Sequence, residues 1–387
     1  MNEENKSNQP TNSGKFLRNV VLKAVLLFLI LNFALAFIPQ GNAVGKLSLY
    51  NRLWPGRIRL PFGENAQEAY NLSLYDLEAM FASHEINAGD KPENEFRVIL
   101  IGDSATWGTL LESADTLGGL INQAGLSTTE GETVRAYNLA YPSMSLTKDL
   151  MILEKALQYE PDLIVWPVTL QSFPRQIQVE TPLAANNPQL VRPLIENLAL
   201  DLDVDDPQFV DSTFLDRTLI GRRRAIFDAF QLQFYGLKWA ATGIDQTYPE
   251  DFTPAQRDFE ADENLFQGWG EADFAPSQLA FEVLDAGAAL AEDVPVLVVN
   301  EPILVSEGEN SDIRYNFFYP RWAYDLYRQE LNKQSDSADW AYIDLWDVVP
   351  QAEFTNSAVH LTPEGSQIFL AALQPVLMEK INAVVVK

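Results

Sequence analysis

The sequence predicts an α/β fold: a three-layer α/β/α sandwich on a five-stranded parallel sheet, with an N-terminal transmembrane helix and a long insertion. Three observations predict it. Short β-rich runs at 97–101, 135–139, 163–168, 294–299 and 340–343 alternate with helical patterns such as 146–158, 278–291 and 324–332. Strands of this kind, separated by helices, make a parallel sheet covered on both faces. An apolar run fills 20–38, and residues 174–276 interrupt the alternation with a stretch far longer than an ordinary crossover.

Taken in order, residues 1–19 are a polar, Asn- and Ser-rich N-terminus expected to be disordered, ending in the basic residues Lys15 and Arg18. Residues 20–38 approach the roughly 20 apolar residues that span a bilayer as a helix, with Asn32 the one interruption in the stretch from Ala24. Lys23 can snorkel near its end, and Pro39 and Gly41 stop it. The favoured reading is a single-pass signal anchor. The competing one is a cleaved signal peptide, because Ala34-Leu35-Ala36 has the small-x-small form of a cleavage site. Orientation is poorly set by charge, since Lys46, Arg52, Arg57 and Arg59 follow the span. The main domain is expected outside the cytoplasm, either anchored or secreted after cleavage.

Residues 39–95 read as a juxtamembrane segment packing on the main domain, with Leu72, Leu74, Leu77, Met80 and Phe81 at roughly helical spacing. Residues 96–387 form the α/β domain, and the insertion at about 174–276 reads as a lid. Within it Arg222-Arg223-Arg224 precedes an aromatic stripe from Phe227 to Trp239. This stripe belongs either to a lid helix packed on the core or to an amphipathic helix that meets the membrane interface or an acyl chain. Thr362 and Pro363 supply the cap and first position of the last helix.

Composition narrows the function classes. With 27 Lys+Arg against 54 Asp+Glu the net charge is -27, which repels phosphate backbones, so nucleic acid is not an expected partner. The chain has no cysteine, which excludes thiolate nucleophiles and zinc-thiolate sites. The acidic tract from Asp201 to Asp206 lacks the glycine and terminal glutamate of a calcium loop and reads as a solvated turn. No metal or cofactor is expected.

Chemistry gathers in two short motifs. Gly102-Asp103-Ser104-Ala105-Thr106-Trp107-Gly108 follows the first core strand, and His360-Leu361-Thr362-Pro363-Glu364-Gly365 opens the last helix. In an open α/β sheet ligands gather at the carboxyl ends of the strands, where both motifs fall. A serine hydroxyl needs an adjacent base, and the chain has only two histidines. His84 sits in a helix-like segment without a motif and reads as structural.

Gly-Asp-Ser-x-x-x-Gly after the first strand, together with the late His-Leu-Thr-Pro-Glu-Gly, resembles the SGNH, or GDSL, hydrolase superfamily over about residues 96–380 apart from the insertion. The resemblance implies a flavodoxin-like sheet, with Ser104 as nucleophile and His360 as base. Such proteins are esterases, lipases, carbohydrate O-acetylesterases and some acyltransferases. Asp103 is expected to organise the turn. In the second block, from Asn138 to Ser145, Ser143 stands at the usual oxyanion glycine, where a backbone N–H can still donate if the turn does not demand positive φ. In the third, Gln171 replaces asparagine with a longer amide; loss of one oxyanion donor costs about a hundred- to a thousand-fold. In the last block Ser357 stands where an aspartate would orient the histidine. Candidates for that task are Ser357 itself, Glu353 and Asp347, with a backbone carbonyl or Glu364 as alternatives, although Glu364 is already explained by the helix dipole.

The expected function is therefore an SGNH-like serine esterase or acyltransferase working through an acyl-Ser104 intermediate. Its substrate would be an acylated small molecule or glycan, such as the O-acetyl groups of an envelope glycan, and the N-terminal helix would bring it to a membrane. The alternative is a catalytically silent scaffold that binds a glycan or a membrane partner.

Overall fold

Strands β1 (Glu95–Leu100), β2 (Thr133–Asn138), β3 (Leu163–Val168), β4 (Val296–Asn300) and β5 (Ala341–Asp344) pair in parallel in the order β2-β1-β3-β4-β5. The computed structural model describes residues 13–37, 45–63, 72, 74–244 and 251–385. Residues 1–12 of the polar N-terminus and residues 38–44, 64–71 and 73 of the juxtamembrane region lie outside the described residues.

The helices in chain order are α1 (Ser13–Ala36), α2 (Leu77–Ser83), α3 (Ser104–Trp107), α4 (Leu117–Gln123), α5 (Leu146–Ala156) and α6 (Pro182–Ala185). They continue as α7 (Pro188–Asn197), α8 (Arg223–Thr242), α9 (Glu282–Ala291), α10 (Arg321–Ser335) and α11 (Pro363–Val385). Successive strand side chains point to opposite faces, so the fully buried strands feed two cores. Val98, Leu100, Val165 and Val299 join α4 and α11, whereas Ile99, Ile164, Trp166 and Val298 join α5, α9 and α10. This is the three-layer sandwich.

Thr362 caps α11 by accepting the Gly365 N–H at 3.0 Å, and Pro363 fills its first position. By length and composition α11 could cross a membrane, but Phe369, Leu373, Leu377 and Ile381 are buried under the sheet, so it is a core helix. Helix α1 has mean hydropathy 2.2 over its best window and is largely exposed. It begins at Ser13 rather than near residue 20, so residues 13–19, expected to be disordered, are helical. Lys15, Phe16, Leu17 and Arg18 carry no helix breaker, and the apolar run continues the same turns.

The segment after α1 is bound tightly to the domain. Tyr50 donates to Ser83 O at 2.7 Å, Arg59 donates to Gly108 O at 2.9 Å and Leu111 O at 3.0 Å, and Leu60 O accepts from Trp107 at 2.9 Å. Leu74, Leu77, Met80 and Phe81 are core residues. In the insertion, α8 buries Leu232 and Trp239 but leaves Phe227, Phe230 and Phe234 exposed, so the stripe is divided between two faces. The tract from Asp201 to Asp206 is a turn in which Asp203 and Asp206 carboxylates accept from Asp205 N–H and Gln208 N–H.

Candidate active site

Sheet order sets the geometry. Because β1 lies between β2 and β3, the turns that follow these three strands are neighbours, and they carry Ser104, Ser143 and Gln171. The turn after β1 is sharp. Gly102 has φ +146, and a Cβ there would meet Thr106 Oγ1 at 2.9 Å and Pro167 O at 3.1 Å, so only glycine fits. Gly108 ends α3 at φ +91, where a Cβ would meet Thr116 Cγ2 at 2.4 Å.

Asp103 is the cap of α3 and accepts the Ala105 N–H at 2.8 Å. Its carboxyl therefore organises the turn that carries Ser104. Asn138, at the end of β2, donates to Thr106 O at 2.8 Å and accepts from Ala140 N–H at 3.2 Å, which joins the second turn to the first.

Ser104 Oγ lies 2.8 Å from His360 Nε2. The histidine arrives from beyond β5, and its loop is held by three bonds: Leu304 N–H to Ala358 O at 2.7 Å, Thr355 N–H to His360 O at 2.9 Å, and Thr362 N–H to Glu353 O at 2.9 Å. The other ring nitrogen, Nδ1, lies 2.7 Å from Asn356 Oδ1. A carbonyl oxygen only accepts, so this contact selects the tautomer with the proton on Nδ1. Nε2 is then free to accept the Ser104 hydroxyl. Although His360 keeps some surface exposure, its ring is enclosed by packed neighbours, and that burial pushes its pKa down to about 4. The ring is neutral at pH 7.

None of the three residues named for orienting the histidine does so. Glu353 accepts instead from the Thr362 hydroxyl, Asp347 is exposed, and Ser357 forms no hydrogen bond with the ring. The reason is local. The loop closes between Thr355 and His360, which brings the residue four positions before the histidine over Nδ1 rather than the one three before it.

Ser143 has φ +95, the left-handed region that favours glycine. The turn does demand positive φ, and serine occupies it at some cost. The backbone N–H groups of Ser104 and Ser143 and the side-chain amide of Gln171 enter no hydrogen bond among the described residues. Gln171 N–H donates to Tyr319 Oη at 3.3 Å, which fixes its backbone.

Beneath the turns lies a cluster that sequence reasoning missed. Lys148 is fully buried, and its Nζ donates to Gly102 O and Tyr141 O, each at 2.7 Å, and pairs with Asp149 Oδ1 at 2.6 Å. It thereby ties the turn after β1 to the turn after β2. Asp149 also accepts from Trp166 Nε1 at 3.1 Å, and burial raises its pKa to about 6. Burial, with Asp103 beside it, raises the Glu301 carboxyl well above the usual range. Asp103 Oδ2 and Glu301 Oε1 are both buried and meet no hydrogen-bond partner among the described residues. The available signal was a lysine–aspartate pair directly before the apolar run Leu150 to Leu153 in α5. His84, by contrast, is structural: Nε2 bonds Ile58 O at 3.0 Å and Asn138 O at 3.1 Å, Nδ1 accepts the Ile86 N–H at 3.1 Å, and burial holds it near pKa 4.

A cavity of about 390 Å³ opens on the insertion, lined by Arg175, Val179, Asp203 and Trp269, and includes none of the predicted site residues. A smaller enclosed one is lined by Ala105, Glu301, Val359 and Ser366, neighbours of the Ser–His pair. Among the described residues no group of three or more His, Cys, Asp or Glu side chains converges as metal donors.

No family model matches the chain, and no curated protein matches it. Among solved structures, the crystal structure of a carbohydrate acetylesterase family member from Sinorhizobium meliloti aligns over 74% of this chain and 98% of that chain, at 13% identity and a TM-score of 0.34. A likeness of that size carries no argument about activity.

Proposed function

We propose that the chain is a serine esterase or acyltransferase whose nucleophile is Ser104. The observation that carries this reading is the 2.8 Å contact between Ser104 Oγ and the unprotonated His360 Nε2. As the acyl carbon is attacked, Oγ forms the new C–O bond and its proton passes to Nε2. Ser104 N–H, Ser143 N–H and the Gln171 amide are the donors available to the resulting oxyanion. Collapse expels the alcohol, which takes the proton from His360 and leaves acyl-Ser104. Water then gives an esterase, and a sugar hydroxyl gives a transferase. Asn356 holds the ring in the working tautomer in place of a carboxylate, as asparagine does in cysteine–histidine sites.

The substrate class, an acylated small molecule or an O-acetylated envelope glycan, rests on the resemblance of the two motifs. Helix α1 anchors the enzyme as a single pass with the domain outside the cytoplasm; cleavage after Ala36 would instead release it. Protease treatment of intact cells separates the placements, since protection of the domain would place it inside.

A second reading, a silent binding scaffold, is favoured by one observation: among the described residues no carboxylate bonds the His360 ring. Fluorophosphonate labelling of the full chain decides between them. The enzyme reading expects label on the wild type and none on Ser104→Ala; an unlabelled wild type, with small-ester hydrolysis unchanged in the variant, would sink it.

A further inference from the structure

We propose that α8 forms a second contact with the membrane, its outward face lying in the headgroup region of the leaflet from which α1 emerges. Phe227, Phe230, Phe234 and Leu237 recur at i, i+3, i+7 and i+10 and so share one side of the helix. They are 63%, 57%, 73% and 41% exposed. Such a face is uncommon on a protein surrounded by water.

The face cannot turn inward, because the opposite side is already seated. Trp239 lies under the Arg57 guanidinium at 4.0 Å, and a Cβ at Gly236 would meet the Tyr50 ring at 2.3 Å. The helix is thus a rigid mount for its aromatic side.

What covers that side follows from its connection to α1. Asn32, the one polar residue in the later part of the span, is buried, and its Oδ1 accepts the Ile220 N–H at 2.9 Å. The next residue, Phe33, stacks on Phe214 at 6.0 Å. Downstream, the Gln233 amide donates to Leu47 O at 2.9 Å and accepts the Leu49 N–H at 2.7 Å. Both the approach to α8 and its middle are therefore fixed to the end of α1 and the chain leaving it. A 24-residue helix is roughly 36 Å long against a hydrocarbon core of about 30 Å, so its last turn falls at the interface. Leu49 and Leu53, exposed beside α8, extend the apolar strip.

Charge agrees with this placement. A chain of net charge -27 is repelled by anionic headgroups, so contact requires a local excess of cations. Arg222, Arg223 and Arg224 open α8, and basic side chains near an anionic surface contribute about 1 kcal/mol each. An amphipathic helix with basic flanks and aromatic anchors seats its apolar side at the headgroup boundary.

This inference takes the span from the anchor reading, and one experiment separates the two. The chain has no cysteine, so a single introduced one reports on a single place. Full-length Phe234→Cys, Leu27→Cys and Asp336→Cys, each carrying an environment-sensitive fluorophore, are reconstituted into phosphatidylcholine vesicles containing about one-third phosphatidylglycerol. Headgroup-depth spin-labelled lipid is expected to quench the probe at 234 at least roughly twofold more than at 336, the exposed end of α10. Acyl-depth lipid quenches the probe at 27 if α1 spans. Quenching at 234 without quenching at 27 supports the surface contact and removes the span. Equal quenching at 234 and 336 overturns the proposal whatever the probe at 27 reports. A probe at 234 shielded from water but not quenched by lipid also overturns it, and assigns the face to a protein neighbour.

Discussion

His360 donates its Nδ1 proton to Asn356 Oδ1 at 2.7 Å, so a neutral amide holds the ring where an ion pair could have formed. The contact fixes the tautomer without raising the basicity of the ring, and burial keeps it neutral. In the proposed reaction this neutral ring is the base at pH 7, while among the described residues no carboxylate pairs with the ring to stabilise the imidazolium it would become.

That balance has a pH signature. His360 is a base only when unprotonated, so kcat/KM for a small ester should hold from neutrality until pH approaches about 4 and then fall. Asn356→Asp places a charge beside the ring and should move this acid limb upward, toward the ordinary histidine value of about 6.5. Asn356→Ala should cost about tenfold in kcat/KM, the worth of one hydrogen bond. An acid limb unmoved in Asn356→Asp would remove Asn356 from the role.

Ser143 adopts φ +95, a conformation glycine accepts without strain. Ser143→Gly should therefore raise the unfolding free energy by about 1 kcal/mol while retaining the backbone N–H. Urea unfolding measures the first effect, and fluorophosphonate labelling at a rate no lower than wild type checks the second.

Lys148 joins two turns from beneath, and its removal strands a buried carboxylate. Lys148→Met should destabilise the fold by about 3–5 kcal/mol, and Asp149→Asn in the same chain should return part of that loss. If the double variant is as unstable as the sum of the singles, the pair is not coupled.

Glu301 is a carboxyl whose proton affinity is raised by burial and by Asp103. A group raised in the folded state contributes stability that is complete below its unfolded pKa and lost as pH rises through its folded pKa. Glu301→Gln removes that loss. Its melting temperature should exceed the wild type by a few degrees at pH 8, with the gap closing by about pH 4. A gap that widens on acidification would contradict the raised proton affinity of Glu301.

Much of the fold was legible in the chain. Residues 163–168 and 98–101 are apolar throughout because both sheet faces are covered, and that pattern needs no partner to be read. Gly102 to Gly108 and His360 to Gly365 were legible for a similar reason: a sharp turn and a helix cap are made by neighbours in sequence. Helix α1 is legible from the apolar length of 20–38, and the helix itself extends back to Ser13, through residues expected to be disordered.

The sequence by itself thus determined the sheet, the two site motifs and the presence of a long apolar helix, all consequences of local pattern and burial. Only the tertiary structure decided that Ser104 and His360, 256 positions apart, meet at 2.8 Å, since that depends on loop anchors such as Leu304 to Ala358. It also decided that Asn356 rather than Ser357, Glu353 or Asp347 faces Nδ1, because a loop closing between Thr355 and His360 sets its own spacing. Which half of the α8 stripe is core and which is exposed was decided the same way, by Tyr50 and Arg57 arriving from a distant segment to claim one side.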